Sequence, residues 1–215
     1  MKALIRPLTD RMRRRRFRFF MELISHLPRP LTILDLGGTE AYWENMGLQT
    51  NHIRIILLNL EHIPVKNQEM FQSVQGDATD LSAWADQSVD LVFSNSVIEH
   101  LFTHAQQQKM ASEVQRVAKS FFIQTPNYYF PIEPHWLIPG FQFMPRSWRI
   151  ALTRMGAWGH MPRLKDPVQA AALVDEVQLL TPKAMQELFP GALMYKEYYG
   201  GLVKSVSCYR IAAQS

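Results

Sequence analysis

The stretch "LTILDLGGTEAYW", residues 31–43, indicates the fold more directly than any other part of the chain. An apolar run that contains one acid, Asp35, ends in two glycines, and a helix-forming segment follows. This is the pattern of a buried strand that turns sharply into a helix, because glycine lets the backbone turn without a steric clash. Thr39 stands where nucleotide-binding loops usually carry a further glycine.

Strands and helices alternate through the first 127 residues. The predicted strands cover residues 31–36, 53–61, 71–78, 89–96 and 120–126. The predicted helices cover residues 41–48, 81–87 and 106–118. The second strand, "IRIILLNLE", is almost continuously apolar, as expected for a strand buried on both faces. This alternation predicts an α/β fold: a Rossmann-like three-layer α/β/α sandwich around a mostly parallel seven-stranded sheet.

The C-terminal part changes in character. Residues 128–180 are rich in prolines and aromatics and predict a lid or substrate-binding insertion, because a plain loop of that length is uncommon. Thr181 and Pro182 mark a helix start, and two strands joined at Gly200 and Gly201 predict a C-terminal antiparallel hairpin. We therefore expect a single domain. Its predicted parts are a basic N-terminal helix (1–30), a cofactor-binding core (31–127), the insertion (128–180), and the last helix with the hairpin (181–215).

Composition narrows the classes of protein. A chain of 215 residues with 47% hydrophobic and 20% charged residues is typical of one globular domain. No apolar run reaches the roughly 20 residues of a membrane-spanning helix, and the N-terminus lacks a secretory pattern. The single cysteine, Cys208, allows neither an intrachain disulfide nor a cysteine-built metal site. We expect a cytoplasmic protein.

Positive charge is concentrated in residues 11–18, "RMRRRRFR", which hold six arginines in a chain of net charge +4. Apolar residues at helical spacing, among them Phe17, Phe20 and Ile24, favour a helix that packs on the body and leaves a solvated basic face. The alternative is a site for nucleic acid or an anionic membrane surface. No second basic run supports nucleic-acid binding. The oligomeric state stays open.

Polar residues and glycines recur where the predicted strands end. In an open parallel sheet, ligands bind at the carboxyl ends of the strands, so these residues are expected to lie together. The candidates, in strand order, are Asp35, Gly37 and Gly38; Asn59 and Glu61; Asp77 and Ala78; Ser94 and Asn95; and Asn127.

Five of these stretches, "ILDLGG", "LLNLE", "QGDATDL", "VDLVFSNSVIEHL" and "FIQTPN", occur in an order and at spacings that identify a family. Together they cover roughly residues 31–127, and they resemble the class I S-adenosylmethionine-dependent methyltransferases of the small-molecule, type 11-like branch. The resemblance implies that S-adenosylmethionine is the cofactor. It also implies that the glycine loop passes the amino-acid and ribose parts of this cofactor rather than a pyrophosphate.

The resemblance assigns roles to the first two strand ends. Gly37 and Gly38 would let the backbone approach the cofactor, and Asp35 would join the network around the methionine ammonium. An acid that ends the second strand accepts hydrogen bonds from both ribose hydroxyls in this family, because a carboxylate can take two donors. Glu61 is our choice for this role, and Asn59 is the competing alignment.

The next two strand ends receive their roles from the same resemblance. Asp77 would accept a hydrogen bond from the adenine amino group, and the amide of Ala78 would meet a ring nitrogen. Ser94 and Asn95 would line the floor under the reactive sulfonium.

The expected reaction is in-line transfer of a methyl group to a small-molecule acceptor, with a hydroxyl as the expected acceptor group. The acceptor pocket is expected to begin directly after the fifth strand, in "NYYFPIEPHW". Its candidate residues are Asn127, Tyr128, Tyr129, Glu133 and Trp136. His135 is the first candidate for a general base and His100 the second, because a neutral imidazole can take a proton near pH 7.

Glu99, His100 and His104 fall near one helix start. Some methyltransferases of ubiquinone biosynthesis and of small-RNA ends bind a metal there through the pattern "ExxEH". Ser96 stands in place of the first acid, and a hard cation would lose one carboxylate ligand. The sequence therefore predicts no metal site and a structural role for Glu99 and His100.

Three other functions compete with the first. A methyltransferase could act on RNA or a lipid-linked substrate through the arginine helix, and its binding would then weaken steeply with salt. The departure at Thr39 would also suit a non-catalytic S-adenosylmethionine-binding protein. A nicotinamide dehydrogenase is disfavoured, because the full G-x-G-x-x-G spacing is missing.

Overall fold

The computed structural model describes residues 2–48 and 52–212, so the outer ends of the predicted ranges 1–30 and 181–215 lie outside it. A seven-stranded sheet runs through this part of the chain in the order β3-β2-β1-β4-β5-β7-β6. Its strands are β1 (Leu31–Leu36), β2 (Ile53–Asn59), β3 (Phe71–Gln75), β4 (Val89–Asn95), β5 (Ala118–Pro126), β6 (Leu193–Tyr199) and β7 (Leu202–Arg210). The first five strands pair in parallel, whereas β7 runs antiparallel to both β5 and β6.

Helices lie on both faces of the sheet. They are α1 (Lys2–Ile24), α2 (Glu40–Met46), α3 (His104–Val117), α4 (Arg146–Met155), α5 (Pro167–Glu176) and α6 (Pro182–Leu188). The side chains of neighbouring β1 residues lie on opposite faces of the sheet. Ile33 packs with residues of α1 and α2, whereas Leu34 packs with residues of α3 and α6. The predicted three-layer α/β sandwich with a C-terminal antiparallel hairpin is confirmed.

The N-terminal helix buries an apolar stripe against the sheet. Phe17, Phe20 and Ile24 are buried in one cluster with Trp43 and Phe93. Five of the six arginines of the run 11–18 point into solvent, as the favoured interpretation predicts. The sixth, Arg16, is buried and belongs to the site described below.

Local signals set the C-terminal elements as predicted. The hydroxyl of Thr181 accepts a hydrogen bond from the amide of Ala184 and caps α6, and Pro182 occupies the first turn. Gly200 and Gly201 join the hairpin with φ angles of 55° and 80°, which favour glycine.

The predicted helix at 81–87 is wrong, because these residues form turns. The carboxylate of Glu113 accepts from the amide of Leu81 over 2.7 Å. The guanidinium of Arg116 donates to the carbonyl oxygens of Leu81 and Trp84 over 3.0 and 2.9 Å. Side chains of α3 thus form the hydrogen bonds to the backbone of residues 81–87 that would be internal to the segment if it were a helix.

The insertion 128–180 has its own small core and is tied to the sheet. It contains α4 and α5, which the sequence did not predict, packed around Trp136, Phe141 and Val174. The amide of Gln178 donates to the carbonyl oxygen of Glu99 over 2.7 Å, which holds the end of the insertion against the segment after β4. In the described residues, no helix is both long and apolar enough to cross a membrane.

Candidate active site

The strand order reverses between β1 and β4, because β2 and β3 lie on one side of this pair and β5 on the other. In an open parallel sheet, such a reversal opens a crevice at the carboxyl ends of the two strands. The glycine loop follows β1 at this edge, and Ser96 to His100 follow β4. The predicted strand-end residues therefore lie along one edge of the sheet.

The loop after β1 has room only for glycine at two positions. Gly37 has a φ of 75°, and a Cβ there would lie 2.4 Å from Cγ2 of Val97. At Gly38, a Cβ would lie 1.7 Å from Oδ2 of Asp35. The side-chain amide of Asn59 donates to the carbonyl oxygen of Gly38 over 3.0 Å and ties the end of β2 to this loop.

Asp35 carries a buried carboxyl group with one partner. Its Oδ2 atom accepts a hydrogen bond from Nε1 of Trp43 over 2.7 Å, and no described residue partners its Oδ1 atom. Burial raises the pKa of Asp35 to about 8, against the opposing effect of the Trp43 hydrogen bond. A buried acceptor without a donor is costly, so this atom is suited to a cationic ligand group.

The other strand ends differ in exposure. Asn59 is the last residue of β2, whereas Glu61 lies two residues further on and is exposed. Asp77 lies exposed beyond β3, where its Oδ1 atom accepts from the amide of Thr79 over 2.8 Å. Ala78, next to it, is half-buried.

Side chains at and just after the end of β4 form hydrogen bonds to the neighbouring strands β1 and β5. The hydroxyl of Ser94 is buried and donates to the carbonyl oxygen of Leu36 over 3.2 Å. Ser96 has a φ of 61°, and its hydroxyl donates to the side chain of Gln124. This left-handed residue turns the chain out of β4 and leads it to Glu99 and His100.

A buried ion pair connects α1 to β4 and β6. The guanidinium of Arg16, 6% exposed, donates to Oδ1 of Asn95 over 2.8 Å and to Oε2 of Glu197 over 3.1 Å. The hydroxyl of Ser205 donates to the other carboxylate oxygen of Glu197 over 3.1 Å. The side-chain oxygen of Asn95 is therefore occupied by an arginine that the sequence shows only as one of six.

Two histidines from distant parts of the chain meet beside β4. The Nε2 atoms of His100 and His135 are 3.2 Å apart, and their rings meet edge to face. Nδ1 of His100 faces Oε1 of Glu176 at 3.2 Å, and Nδ1 of His135 faces Oε1 of Glu133 at 2.6 Å. The structure thus brings together the two residues predicted as bases.

Glu99 completes this cluster. It is fully buried; its Oε2 atom accepts from the hydroxyl of Thr125 over 3.0 Å, and no described residue partners Oε1. Burial raises the pKa of Glu99, against the opposing charge of His100. His104, which the sequence grouped with Glu99 and His100, instead lies exposed at the first residue of α3.

The environment of His135 favours its charged form. Burial by itself lowers the pKa of His135, but the hydrogen bond and the negative charge of Glu133, helped by Glu99 and Glu176, outweigh it. The net result is a pKa raised above the usual value. The carboxylate of Glu133 also accepts from the backbone amides of His135 and Trp136, which fixes the start of the insertion.

The predicted acceptor residues lie in different environments. Trp136 is 2% exposed, stacks on Phe141 and donates through Nε1 to the hydroxyl of Thr153, so its side chain lies in the core of the insertion. Asn127 is buried, and its amide donates to the carbonyl oxygen of Val203. Tyr129, by contrast, is 63% exposed.

Tyr128 lies between these extremes. It is half-buried, and its ring contacts the rings of Tyr129 and Phe143 edge to face. These three aromatics form a surface wall of the insertion.

Sequence reasoning missed two residues of this region: Arg16 and Glu176. Arg16 could have been singled out from the run because it lies four positions after Met12 and four before Phe20, on the apolar side of the helix. The sequence carries no signal for the Glu176 contact, since that residue is far from His100 along the chain and its helix was not predicted.

Comparison with known proteins gives a match to a family and to curated relatives. Residues 34–121 match the family model described as a methyltransferase domain. Over 57 residues, the chain is 37% identical to uncharacterised proteins from two strains of Mycobacterium tuberculosis, which is 26% of this chain and 20% of theirs. The chain thus spans about a fifth of the length of the curated relatives it matches.

Solved structures share the fold. An O-methyltransferase family protein from Burkholderia thailandensis superposes with a TM-score of 0.53 at 9% identity, over 98% of this chain and 57% of that one. A SAM dependent methyltransferase from Archaeoglobus fulgidus superposes with a TM-score of 0.51 at 12% identity, over 93% of each chain. The CurJ carbon methyltransferase gives 0.52 at 13% identity, over 91% of this chain and 52% of its own.

Proposed function

Because residues 34–121 form a methyltransferase domain of the class I S-adenosylmethionine-dependent type, we propose that the protein methylates a hydroxyl group of a small-molecule acceptor. The observation that supports a hydroxyl is the His100–His135 pair at the ligand-binding edge of the sheet. A hydroxyl has to lose its proton as it is methylated, and a positioned imidazole can take it. A neutral amine has no such need.

The residues of the crevice fit the cofactor. The unpartnered Oδ1 atom of Asp35 suits the ammonium group, and the bare backbone at Gly37 and Gly38 suits close approach. Asn59 or the exposed Glu61 would hold the ribose hydroxyls. When bound, S-adenosylmethionine supplies a methyl group that is already activated on a sulfonium.

The residues after β3 and at the end of β4 would contact the rest of the cofactor. Asp77 and the amide of Ala78 would hold the adenine, and Ser94 and Asn95 would form the floor of the reaction site. Arg16 would fix the side-chain orientation of Asn95, because its guanidinium occupies the Oδ1 atom and leaves the amide hydrogens for other acceptors.

The chain's own chemical task is to orient the acceptor and take its proton. Glu133 occupies Nδ1 of His135, so Nε2 is the atom that would receive the hydroxyl proton. The acceptor oxygen then carries the methyl group in place of that proton, and the proton rests on the imidazole pair.

The insertion would supply the acceptor pocket and exclude water. Tyr128 and Tyr129 would form its wall, and Asn127 would hold the first turn of the segment through its backbone contacts. Glu133 and Trp136 would act from within the insertion, by fixing the backbone that carries His135.

An anionic acceptor, such as RNA or a lipid-linked substrate, is the second candidate, and a groove on α1 favours it. The groove has a volume of about 440 Å³. Its lining residues are Asp10, Arg11, Arg14, Phe17, Arg18 and Met46. Three guanidinium groups around an apolar floor could hold a phosphate.

Two measurements test the proposal. Calorimetry with S-adenosylhomocysteine should give one site per chain, and no binding at millimolar concentration would overturn the assignment. A screen of alcohols, phenols, amines and phosphate-bearing acceptors with methyl-labelled cofactor should then label a hydroxyl acceptor. Labelling of amines alone would contradict the hydroxyl, while binding without any transfer would favour a non-catalytic protein. Affinity for the acceptor that falls steeply with salt would favour the anionic class.

A further inference from the structure

The contact between His100 and His135 poses a problem of hydrogen bonding. Each Nδ1 atom faces a carboxylate, that of Glu176 or Glu133, and an ionised carboxylate only accepts. Both rings must therefore carry their proton on Nδ1 when neutral. Their two Nε2 lone pairs then face each other across 3.2 Å with no hydrogen between them.

A third acceptor converges on the same place. Glu99, His100 and His135 each offer one ligand atom, and these atoms lie within 4.8 Å of one another. Glu99 is fully buried, and its Oε1 atom has no partner among the described residues. One proton shared between the rings would leave this oxygen without a donor, whereas one cation can satisfy the two nitrogens and the carboxylate together.

We propose that Glu99, His100 and His135 bind a divalent transition-metal ion of the zinc class. Two imidazoles and one carboxylate form the ligand set of catalytic zinc sites that keep an open position. Imidazole-rich sites select such metals over magnesium and calcium, which prefer oxygen ligands. The sequence predicted no metal site, because Ser96 replaces the first acid of the "ExxEH" pattern. It also grouped Glu99 and His100 with the exposed His104 rather than with His135.

The distances fit one metal ion. Two nitrogens that bind the same tetrahedral zinc at about 2.0–2.1 Å stand about 3.3 Å apart, close to the 3.2 Å observed between the Nε2 atoms. The three ligand atoms lie within 4.8 Å of one another, so an inward movement of the Glu99 carboxylate would be enough to complete the set.

Glu133 and Glu176 would act as positioning residues. Metal-binding histidines commonly donate their second ring N–H to a carboxylate, which fixes the ring and the tautomer. Here both rings have such a partner, at 2.6 and 3.2 Å. Both carboxylates come from the insertion, so metal binding would also hold the insertion against β4.

An open coordination position would give the metal a role in methyl transfer. A hydroxyl bound to such a cation would release its proton to solvent more readily, because the metal stabilises the alkoxide. Both Nε2 atoms would then be metal ligands, so in the metal-bound protein the cation, rather than the imidazole, would promote this proton loss. This role rests on the proposed function, whereas the metal site does not. The acceptor would then bind through its oxygen, beside the imidazole pair.

The test uses the full chain after treatment with a chelator. Zinc added in a calorimeter should bind at one ion per chain, and cobalt should give the visible absorption band of an imidazole-bound, low-coordinate ion. Magnesium should not compete with zinc at tenfold excess. Failure to bind zinc at one per chain, or equal binding of magnesium, would overturn the proposal.

Variants assign the ligands. His135→Asn and Glu99→Gln should each weaken zinc binding at least as much as Glu176→Gln, which should cost about 10–100-fold. His104→Ala is the matched control and should bind zinc like the parent chain. Circular dichroism checks that each variant folds. If Glu99→Gln does not fold, the zinc titration of the parent chain still tests the proposed metal site. Weaker zinc binding by His104→Ala, or unchanged zinc binding by His135→Asn, would contradict the assignment of the ligands.

Binding of S-adenosylhomocysteine to the zinc-free chain separates the two proposals. Zinc binding without cofactor binding would leave the metal site standing and remove the methyl-transfer function. Cofactor binding without zinc binding would overturn the metal site and leave the proposed methyl-transfer function standing.

Discussion

The guanidinium of Arg16, near the middle of the N-terminal helix, donates to the side-chain oxygen of Asn95 at the end of β4 over 2.8 Å. The same group pairs with the buried carboxylate of Glu197. One arginine of a run of six thus connects the helix, the candidate crevice and the hairpin, while the other five face solvent.

We expect Arg16→Ala to destabilise the fold by about 3–5 kcal/mol, because it leaves the carboxylate of Glu197 buried without its strongest partner. Arg15→Ala, on the exposed side of the same helix, should change the free energy of unfolding by less than about 0.5 kcal/mol. Urea unfolding of both variants measures the difference. Equal stabilities would show that the buried pair contributes nothing to the fold.

The glycine loop offers a steric test. We expect Gly38→Ala to weaken cofactor binding strongly, because its Cβ would lie 1.7 Å from Oδ2 of Asp35 and would push the carboxyl group out of place. Gly47→Ala is the matched control: its φ of 78° costs about 1 kcal/mol of strain, but a Cβ there meets nothing within 4 Å. Calorimetry with S-adenosylhomocysteine should separate the two. Unimpaired binding by Gly38→Ala would show that the loop does not hold the cofactor.

The buried carboxyl group of Asp35 makes stability depend on pH. Its pKa is about 8 in the folded chain, because burial disfavours the charge, and near 3.9 in the unfolded chain. Between these values the folded chain keeps a proton that the unfolded chain has lost. The free energy of unfolding should therefore fall as pH rises from about 4 to about 8, by at most about 1.4 kcal/mol per pH unit from this group.

Asp35→Asn should remove that part of the pH dependence, because the amide does not ionise. Urea unfolding at pH 5, 6, 7 and 8 measures the slope. Glu44→Gln, on the exposed face of α2, should keep the slope of the parent chain. An unchanged slope in Asp35→Asn would mean that Asp35 is already ionised at neutral pH.

The fold could be predicted because its signals are local. The apolar run of β2 and the cap at Thr181 each need only a few neighbouring residues to be recognised. The helix predicted at 81–87 failed for the opposite reason: Glu113 and Arg116, about 30 residues further along the chain, pair its backbone.

The candidate site could be predicted only in part. Strand ends meet at one edge of any parallel sheet, so Asp35 and Asn95 could be placed together from topology alone. The contact between His100 and His135 joins residues 35 positions apart, and that between Arg16 and Glu197 spans 181 positions. Such contacts depend on how the insertion and the helix pack, which no local pattern encodes.

The proposed base is tested by its removal. We expect His135→Ala to lower turnover by about 10²–10⁴-fold with an identified hydroxyl acceptor, because the acceptor proton then lacks its positioned imidazole. His104→Ala should keep turnover within about twofold, since His104 lies exposed at the start of α3. Steady-state kinetics with both variants is the measurement. Unchanged turnover in His135→Ala would remove this residue from the mechanism.

The insertion contains one aromatic residue with an expected structural role, Trp136, and one with an expected role in acceptor binding, Tyr129. Trp136→Ala should destabilise the chain by about 3–5 kcal/mol, because the side chain is buried against Phe141 and hydrogen-bonded to Thr153. Tyr129→Ala should leave stability nearly unchanged, since the ring is 63% exposed. If the wall formed by Tyr128, Tyr129 and Phe143 binds the acceptor, Tyr129→Ala should raise KM for the acceptor several-fold with little change in kcat.

Thermal unfolding and steady-state kinetics on the same two variants distinguish these roles. A raised acceptor KM in Tyr129→Ala at parental stability places the acceptor against the surface wall, because the fold itself is then intact. An unchanged KM would place it elsewhere along the crevice. A Thr153→Val variant, which leaves the indole ring of Trp136 in place but removes its hydrogen-bond acceptor, should cost only about 1–3 kcal/mol. A larger loss would mean that the hydrogen bond, rather than the packing, holds the insertion together.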